Sequence, residues 1–313
     1  IAQTYTQSRD VLVVDNAYHG HTNSLIDLSP YKFNGKGGMG QKDHVHVAKM
    51  PDGIRGDWRY TNKSWIKEYI KDVQKVIDQI YSNNKKLSCF FVESILGCGG
   101  QIILPPNYLK ETFKLVRKKN ALCIVDEVQT GFGRVGNNFW GFEEHGVVPD
   151  IITIGKPMGN GHPIAAVVTT KEIANVFNNG MEYFNSFGGN PVSCAVGNAV
   201  LEIIENEQLQ KHAQDVGKYF LNSLNFIKKN HPNLISEVRG RGLFIGIDFI
   251  KNLKKAPNKR LASLITNKLR NQGILLSTDG PHHNVIKIKP PLPFTKEDSD
   301  FVTQELDHVL RSF

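Results

Sequence analysis

"ALCIVDEVQTGFGR", residues 121–134, holds the reading that decides the fold. Leu122–Val125 is a short aliphatic run that ends in two carboxylates, Asp126 and Glu127. An apolar run without polar alternation suits a strand buried on both faces. Acids at the carboxyl end of such a strand lie where open α/β sheets bind ligands. The pattern recurs in "IITIGKPMGNGHPIAAVV", residues 151–168, where Ile151–Ile154 and Ile164–Val168 read as two buried strands. The glycines and prolines between them exclude helix interior and regular strand, and they carry Lys156. The spacing from Asp126 to Lys156 allows a strand–helix–strand excursion that returns both residues to one sheet edge. Taken alone, the two read as an ordinary salt bridge.

Further strands are expected at Val11–Asp15, Cys89–Val92 and Ala165–Val168. Helices alternate with them at Lys67–Tyr81, Pro106–Lys119, and Pro191–Asn206 running on toward Lys228. The alternation predicts an α/β sheet covered by helices. Past residue 206 a charged helix (Glu207–Lys229) leads into two strands, "LISEVRG" and "GLFIGIDFI". A helix (Lys259–Gln272), a strand (Val285–Ile288) and a closing helix (Lys296–Leu310) follow. The expected division is a large domain, 1–206, and a smaller C-terminal α+β domain, 207–313.

The composition, 40% hydrophobic and 22% charged with a formal charge of +8, is that of a globular chain. Lysines in "KKN", "NNKK" and "NLKK" are scattered, which argues against a nucleic-acid stripe and for solvated faces or anionic substrates. No apolar run approaches the roughly 20 residues of a membrane span. Cys89, Cys98, Cys123 and Cys194 lack CxxC spacing and read as buried free thiols of a reducing compartment, mitochondrial matrix or cytoplasm. Asn62-Lys-Ser is a glycosylation sequon by pattern alone. "IAQTYTQSRDVLVVD" reads as the end of a helix entering a strand, and the expectation is that an N-terminal part is missing.

Gly131-Phe-Gly133-Arg-Val-Gly136 matches the GxGxxG dinucleotide fingerprint, with Asp150 downstream. The fingerprint needs its first glycine directly after a strand and a helix behind it. Here "DEVQT" intervenes, "GNNFWGF" is a poor helix start and Asp150 precedes a strand, so the nicotinamide reading is rejected. Pyridoxal phosphate fits better: it needs a lysine to bind its carbonyl carbon and a carboxylate at its pyridine nitrogen. Lys156 and Asp126 match those needs. Tyr18 in "DNAYHGHT" is a candidate stacking ring, and Val128 a candidate apolar wall. His44 and His46 share a strand face, but a third metal ligand is not visible, and no metal site is expected.

With these residues in place, the chain resembles the class III (fold-type I) pyridoxal-phosphate-dependent transaminases. The resemblance rests on "AYHGHT", "FFVESILGCGGQIILPP", "IVDEVQTGFGRVGNNFW", "PDIITIGKPMGNGHPIAAVVTT", "FGGNPVSCAVGNAVLEIIE" and "VRGRGLFIGIDFI", in family order over nearly the whole chain. It implies a large, mixed, mostly parallel sheet domain plus a smaller C-terminal α+β domain. It implies Lys156 as the cofactor-bearing lysine, Asp126 at the pyridine nitrogen and Gln129 as a donor to the ring 3-oxygen. Tyr18 would stack, Val128, His19 and Gly20 would contribute cofactor contacts, and Glu93 would line the substrate side. Ser186, where threonine is usual, would reach the cofactor phosphate of a neighbouring subunit, implying a homodimer with shared active sites. A Ser/Gly-rich phosphate cradle of the family would lie upstream of Ile1.

The family's usual substrate-clamping arginine is replaced by Lys287 in "NVIKIKPPLPFT". Lysine lacks the bidentate fork, so the change is not conservative. "TDGPHHNVIKIKPPLPFT" together with "EYFNSFGGNPVSCAVG" is most similar to the phospho-lyase branch, which acts on O-phosphoethanolamine or 5-phosphohydroxylysine. Lys287, Lys289, Arg134 and Arg241 are candidates for the substrate phosphate, while His282 and His283 read as loop residues. The alternative is a transaminase of the ω-amine or alanine–glyoxylate type. A non-catalytic protein that keeps the fold is the third reading.

Overall fold

The computed structural model describes residues 1–252 and 255–313; two residues of the "NLKK" cluster lie outside the described residues. A short helix α1 (Ala2–Thr6) runs into β1 (Asp10–Val14), as the opening residues suggest. Helices α2 (Asn23–Asp27) and α3 (Pro30–Phe33) precede β2 (Val45–Ala48), and α4 (Trp65–Ser82) precedes β3 (Leu87–Glu93). The hairpin β4 (Ile95–Leu96) and β5 (Ile102–Ile103) follows, then α5 (Tyr108–Arg117), β6 (Leu122–Asp126), β7 (Ile151–Ile154) and β8 (Ala166–Thr169). Next come α6 (Lys171–Phe177), α7 (Pro191–Asn206), α8 (Leu209–Asn230), β9 (Ile235–Arg241) and β10 (Phe244–Phe249). The chain ends with α9 (Lys259–Asn271), β11 (Ser277–Asp279), β12 (Val285–Ile288) and α10 (Lys296–Leu310).

Two compact units result: residues 1–94, 104–131 and 141–202 form the first, and 95–103, 132–140 and 203–313 the second. The first holds a six-stranded sheet in the order β2-β1-β3-β6-β7-β8, parallel except for the antiparallel β7–β8 pair. Every residue of β1, β3 and β6 is buried, because both faces are covered. Helices α4 and α5 pack against each other and against β3, with Phe90 and Phe113 in edge contact. The opposite set of strand residues, Val11, Val13, Phe91 and Ile124, packs with Ala2 of α1 and Ile173 of α6. Helix α4 turns Tyr69, Val73, Ile77 and Ile80 inward, the spacing of one helical face.

Three expectations need correction. The Ile164–Val168 run is not a second buried strand: β8 is an edge strand with Val167 54% and Val168 48% exposed. The connection from β6 to β7 contains a 3-10 turn at Gly141–His145 and no α-helix. The helix beginning at Pro191 also stops at Asn206. Gln208 adopts a left-handed φ of 51°, and α8 starts afresh behind it. Burial differs for the cysteines too: Cys89 and Cys123 are buried, Cys98 is half-buried and Cys194 is exposed, all four as free thiols.

The second unit is built on an antiparallel sheet, β11-β12-β10-β9. All of β10 is buried, and Ile245, Ile247 and Phe249 share a core with Phe220 of α8, Ile265 of α9 and Leu306 of α10. A capping box fixes the start of α10. Thr295 Oγ1 accepts from the Asp298 amide at 3.1 Å, and Asp298 Oδ2 accepts from the Thr295 amide at 2.9 Å. The glycines of the false fingerprint have a packing role here. A Cβ on Gly133 would lie 2.9 Å from Gln210 Cβ and one on Gly136 2.6 Å from Gln214 Cα; outside the fingerprint, one on Gly217 of α8 would lie 2.3 Å from the Gly242 carbonyl oxygen.

Candidate active site

Three adjacent parallel strands end together. Glu93 on β3 is in register with Asp126 on β6, and Asp126 with Thr153 on β7. Lys156 follows two residues after β7, so both residues named by the spacing lie at the carboxyl edge of the sheet. Lys156 is exposed, opens the 3-10 turn Lys156–Met158 and has φ +36°. That left-handed backbone is strained for a residue with a Cβ, at about 1–3 kcal/mol. Among the described residues Lys156 makes no ion pair, which removes the salt-bridge alternative.

Asp126 is held at both oxygens. Oδ1 accepts from the Val128 amide at 3.0 Å, and Oδ2 lies 3.0 Å from His19 Nδ1. A carboxylate only accepts, so Nδ1 carries the proton of that bond. The His19 ring stacks on Phe91 at 4.1 Å between centroids, its backbone amide donates to Ser29 Oγ at 2.9 Å, and its Nε2 is buried without a hydrogen-bond partner. His19 therefore acts on Asp126 directly, an arrangement that sequence spacing does not disclose. Gly20 has φ +141°, and a Cβ there would lie 2.7 Å from Leu25 Cδ1, so the turn behind His19 requires glycine.

Glu93 is buried, and its Oε1 accepts from the Tyr18 amide at 3.1 Å. Tyr18 is half-buried, edge-on to Tyr31 at 6.0 Å. Val128 and Gln129 are half-buried beyond Asp126, and Val128 Cγ1 lies 3.8 Å from where a Gly155 Cβ would stand. Val128 therefore borders the backbone that presents Lys156. Ser186 is exposed in a segment whose Phe184 and Phe187 are also exposed.

The remaining candidates belong to the second unit. Lys287 Nζ lies 3.2 Å from Asp279 Oδ2, which also accepts from Gln101 Nε2 at 3.2 Å. One guanidinium nitrogen of Arg134 donates to the carbonyls of Leu243 and Pro290, at 3.1 and 2.7 Å, and burial lowers its pKa to about 10. Lys289 lies over the Phe244 ring at 4.1 Å, Arg241 donates to the Gly240 carbonyl at 2.9 Å, and His282 and His283 are exposed. In the first unit His46 is bonded to Asp10 at 2.7 Å, and no group of three His, Cys, Asp or Glu side chains suited to a metal occurs among the described residues.

A free amine, a carboxylate fixed at both oxygens and an apolar side chain between them fit a pyridine ring that bears a carbonyl carbon. The fold is that of the fold-type I pyridoxal-phosphate-dependent proteins. Residues 1–310 match the family model for class III aminotransferases. The chain belongs to that family. It is 44% identical over 306 residues to a Drosophila melanogaster protein named alanine–glyoxylate aminotransferase 2-like, covering 96% of this chain and 62% of the relative. It is 41% identical over 323 residues to the Caenorhabditis elegans ethanolamine-phosphate phospho-lyase homolog 1, covering 99% of this chain and 69% of that relative. An Arthrobacter phospholyase solved in complex with phosphoethanolamine is similar at 36% identity and a TM-score of 0.92, over 100% of this chain and 73% of the other. The chain thus spans 62% and 69% of the lengths of the two curated relatives.

Proposed function

We propose that the complete protein is a phospho-lyase that removes phosphate from a small phosphorylated amine, O-phosphoethanolamine or 5-phosphohydroxylysine. The observation that carries this reading is Lys287. It stands where the family resemblance expects an arginine, and its ammonium already faces Asp279 at 3.2 Å. A paired ammonium is a poor grip for a substrate carboxylate, and O-phosphoethanolamine has none. The names of the nematode relative and of the Arthrobacter structure support the same chemistry. The name of the insect relative favours the second reading, amino transfer to a keto acid.

Pyridoxal phosphate, when bound, supplies a ring that accepts the electron pair released at the carbon bearing the substrate amine. Lys156 would hold the cofactor through its Nζ, and the same Nζ would take the proton from the carbon bearing the substrate amine. Asp126 would keep a proton at the pyridine nitrogen, and His19 Nδ1, 3.0 Å from its Oδ2, would hold it in the orientation to do so. Val128 and Tyr18 would flank the ring, Gln129 would donate to its 3-oxygen, and Gly20 shapes the turn behind His19. Glu93 lines the substrate side, and Lys287 and Arg134 are assigned to the substrate. Phosphate leaves with the pair of the broken carbon–oxygen bond. Overall, one O-phosphoethanolamine and one water give acetaldehyde, ammonia and phosphate.

Ser186 is assigned to the cofactor phosphate of a partner subunit in a homodimer, and the exposed aromatic residues around it support that assembly. The mitochondrial matrix or cytoplasm is the proposed location; some relatives carry "mitochondrial" in their names. A substrate panel tests the reaction class. The complete protein is incubated with O-phosphoethanolamine, 5-phosphohydroxylysine, or alanine plus glyoxylate. Turnover of a phosphorylated amine without a keto acid is expected, and turnover of the alanine–glyoxylate pair alone would replace this reading with the transaminase.

A further inference from the structure

Glu127, next to Asp126, takes no part in the chemistry above, yet it is completely buried and saturated with donors. Its Oε1 accepts from the Phe142 amide at 2.9 Å, and its Oε2 accepts from the Gly141 amide at 2.9 Å and from Thr130 Oγ1 at 2.8 Å. Thr130 Oγ1 in turn accepts from Ser94 Oγ at 2.8 Å. Its own backbone continues the sheet edge, with the amide donating to the Thr153 carbonyl at 2.9 Å and the carbonyl accepting from the Gly131 amide at 3.0 Å. Gly141 cannot carry a side chain, because a Cβ would lie 2.3 Å from Ser94 Oγ.

The location gives these bonds their meaning. Residues 132–140 leave the first unit, and Gly141 is where the chain returns to it. Glu127 bonds the residues on both sides of that departure to the strand end that bears Asp126. We infer that Glu127 is a positioning residue, whose carboxylate fastens the returning chain at Gly141–Phe142 to the end of β6 and so holds Asp126, Val128 and Gln129 in place for the cofactor. This rests on the reading of Asp126 as the partner of the pyridine nitrogen. Two backbone amides on two different oxygens require an acceptor at each position. Glutamine offers one oxygen and turns an amide group toward the other N–H donor.

The test is pyridoxal phosphate affinity, measured by absorbance titration of the complete protein, beside the melting temperature without cofactor. Glu127→Gln is expected to weaken binding about tenfold, the effect of losing one charge-assisted bond, with amide exchange accelerated at Gly141 and Phe142. Thr130→Val removes one donor and leaves both backbone bonds. It is expected to weaken binding less, about threefold, and supplies the answer if the first variant does not fold. Wild-type affinity in folded Glu127→Gln, or in Thr130→Val where Glu127→Gln does not fold, would overturn the assignment, even if the melting temperature fell. Failure of the wild-type protein itself to take up pyridoxal phosphate would be a different result, overturning the cofactor reading on which the assignment rests.

Discussion

Asp126 depends on His19, so the pair gives the most local prediction. Removing the ring by His19→Ala leaves a buried carboxylate oxygen without its donor, at a cost of about 1–3 kcal/mol. Pyridoxal phosphate affinity should fall about tenfold or more, checked by titration; unchanged affinity would show that Asp126 does not need its partner. Glu127 makes a pH prediction. Burial pushes its carboxyl from 4.5 up to about 7, outweighing the bonds from Gly141, Thr130, Phe142 and Ser94 that favour the charge. A raised value means that the folded state binds the extra proton between those pH values. The stabilisation is full below about pH 4.5 and is lost as pH rises through about 7, roughly 3 kcal/mol in all. Between pH 5 and pH 8 the wild type should therefore lose stability relative to Glu127→Gln in denaturant titrations. Parallel pH profiles for the two proteins would contradict it. The placement of Lys156 and Asp126 at one sheet edge was legible from the sequence because strand ends and loop composition announce it. The His19–Asp126 and Glu127–Gly141 bonds were not, since each joins segments whose meeting no local pattern encodes.

Among the elements, those with strong periodicity or continuous apolar character were readable to within a residue or two: α4, β6, β7, α9, β12 and α10. Short pieces such as β11 and the β4–β5 hairpin were not, because two or three residues carry no period. The edge position of β8 was hidden for a different reason. Val167 and Val168 favour a strand, but composition does not say whether a neighbour covers it. The GxGxxG stretch shows how one pattern serves two physical ends, since glycine permits close backbone approach to a phosphate or to another helix. Gly217 tests the packing case. In mid-helix, alanine should gain about 1 kcal/mol of propensity, but its Cβ would meet the Gly242 carbonyl oxygen at 2.3 Å. Overpacking of about 1–3 kcal/mol or more should prevail, so Gly217→Ala is expected to lower the melting temperature; a rise would show that the turn at Gly242 yields easily.

At the scale of the whole molecule, Met181, Tyr183, Phe184, Phe187 and Val192 are each 67% or more exposed, with Ser186 among them. Large exposed apolar groups so concentrated suit burial against another surface, and the homodimer proposed above provides one. Sedimentation of the complete protein should give a dimer, and Phe187→Asp should shift it toward monomer; a monomeric wild type would remove the partner role of Ser186. The assembly was suggested by family resemblance and not by composition, because an exposed aromatic in a loop has no periodic signature. Reaction class is the central claim, and the most direct measurement is the release of phosphate and ammonia from O-phosphoethanolamine by the complete protein with no keto acid present. Equimolar release that requires added pyridoxal phosphate, and that is abolished in Lys156→Ala, is the predicted result. No phosphate from a cofactor-loaded wild type, or release unaffected by loss of Lys156, would contradict it.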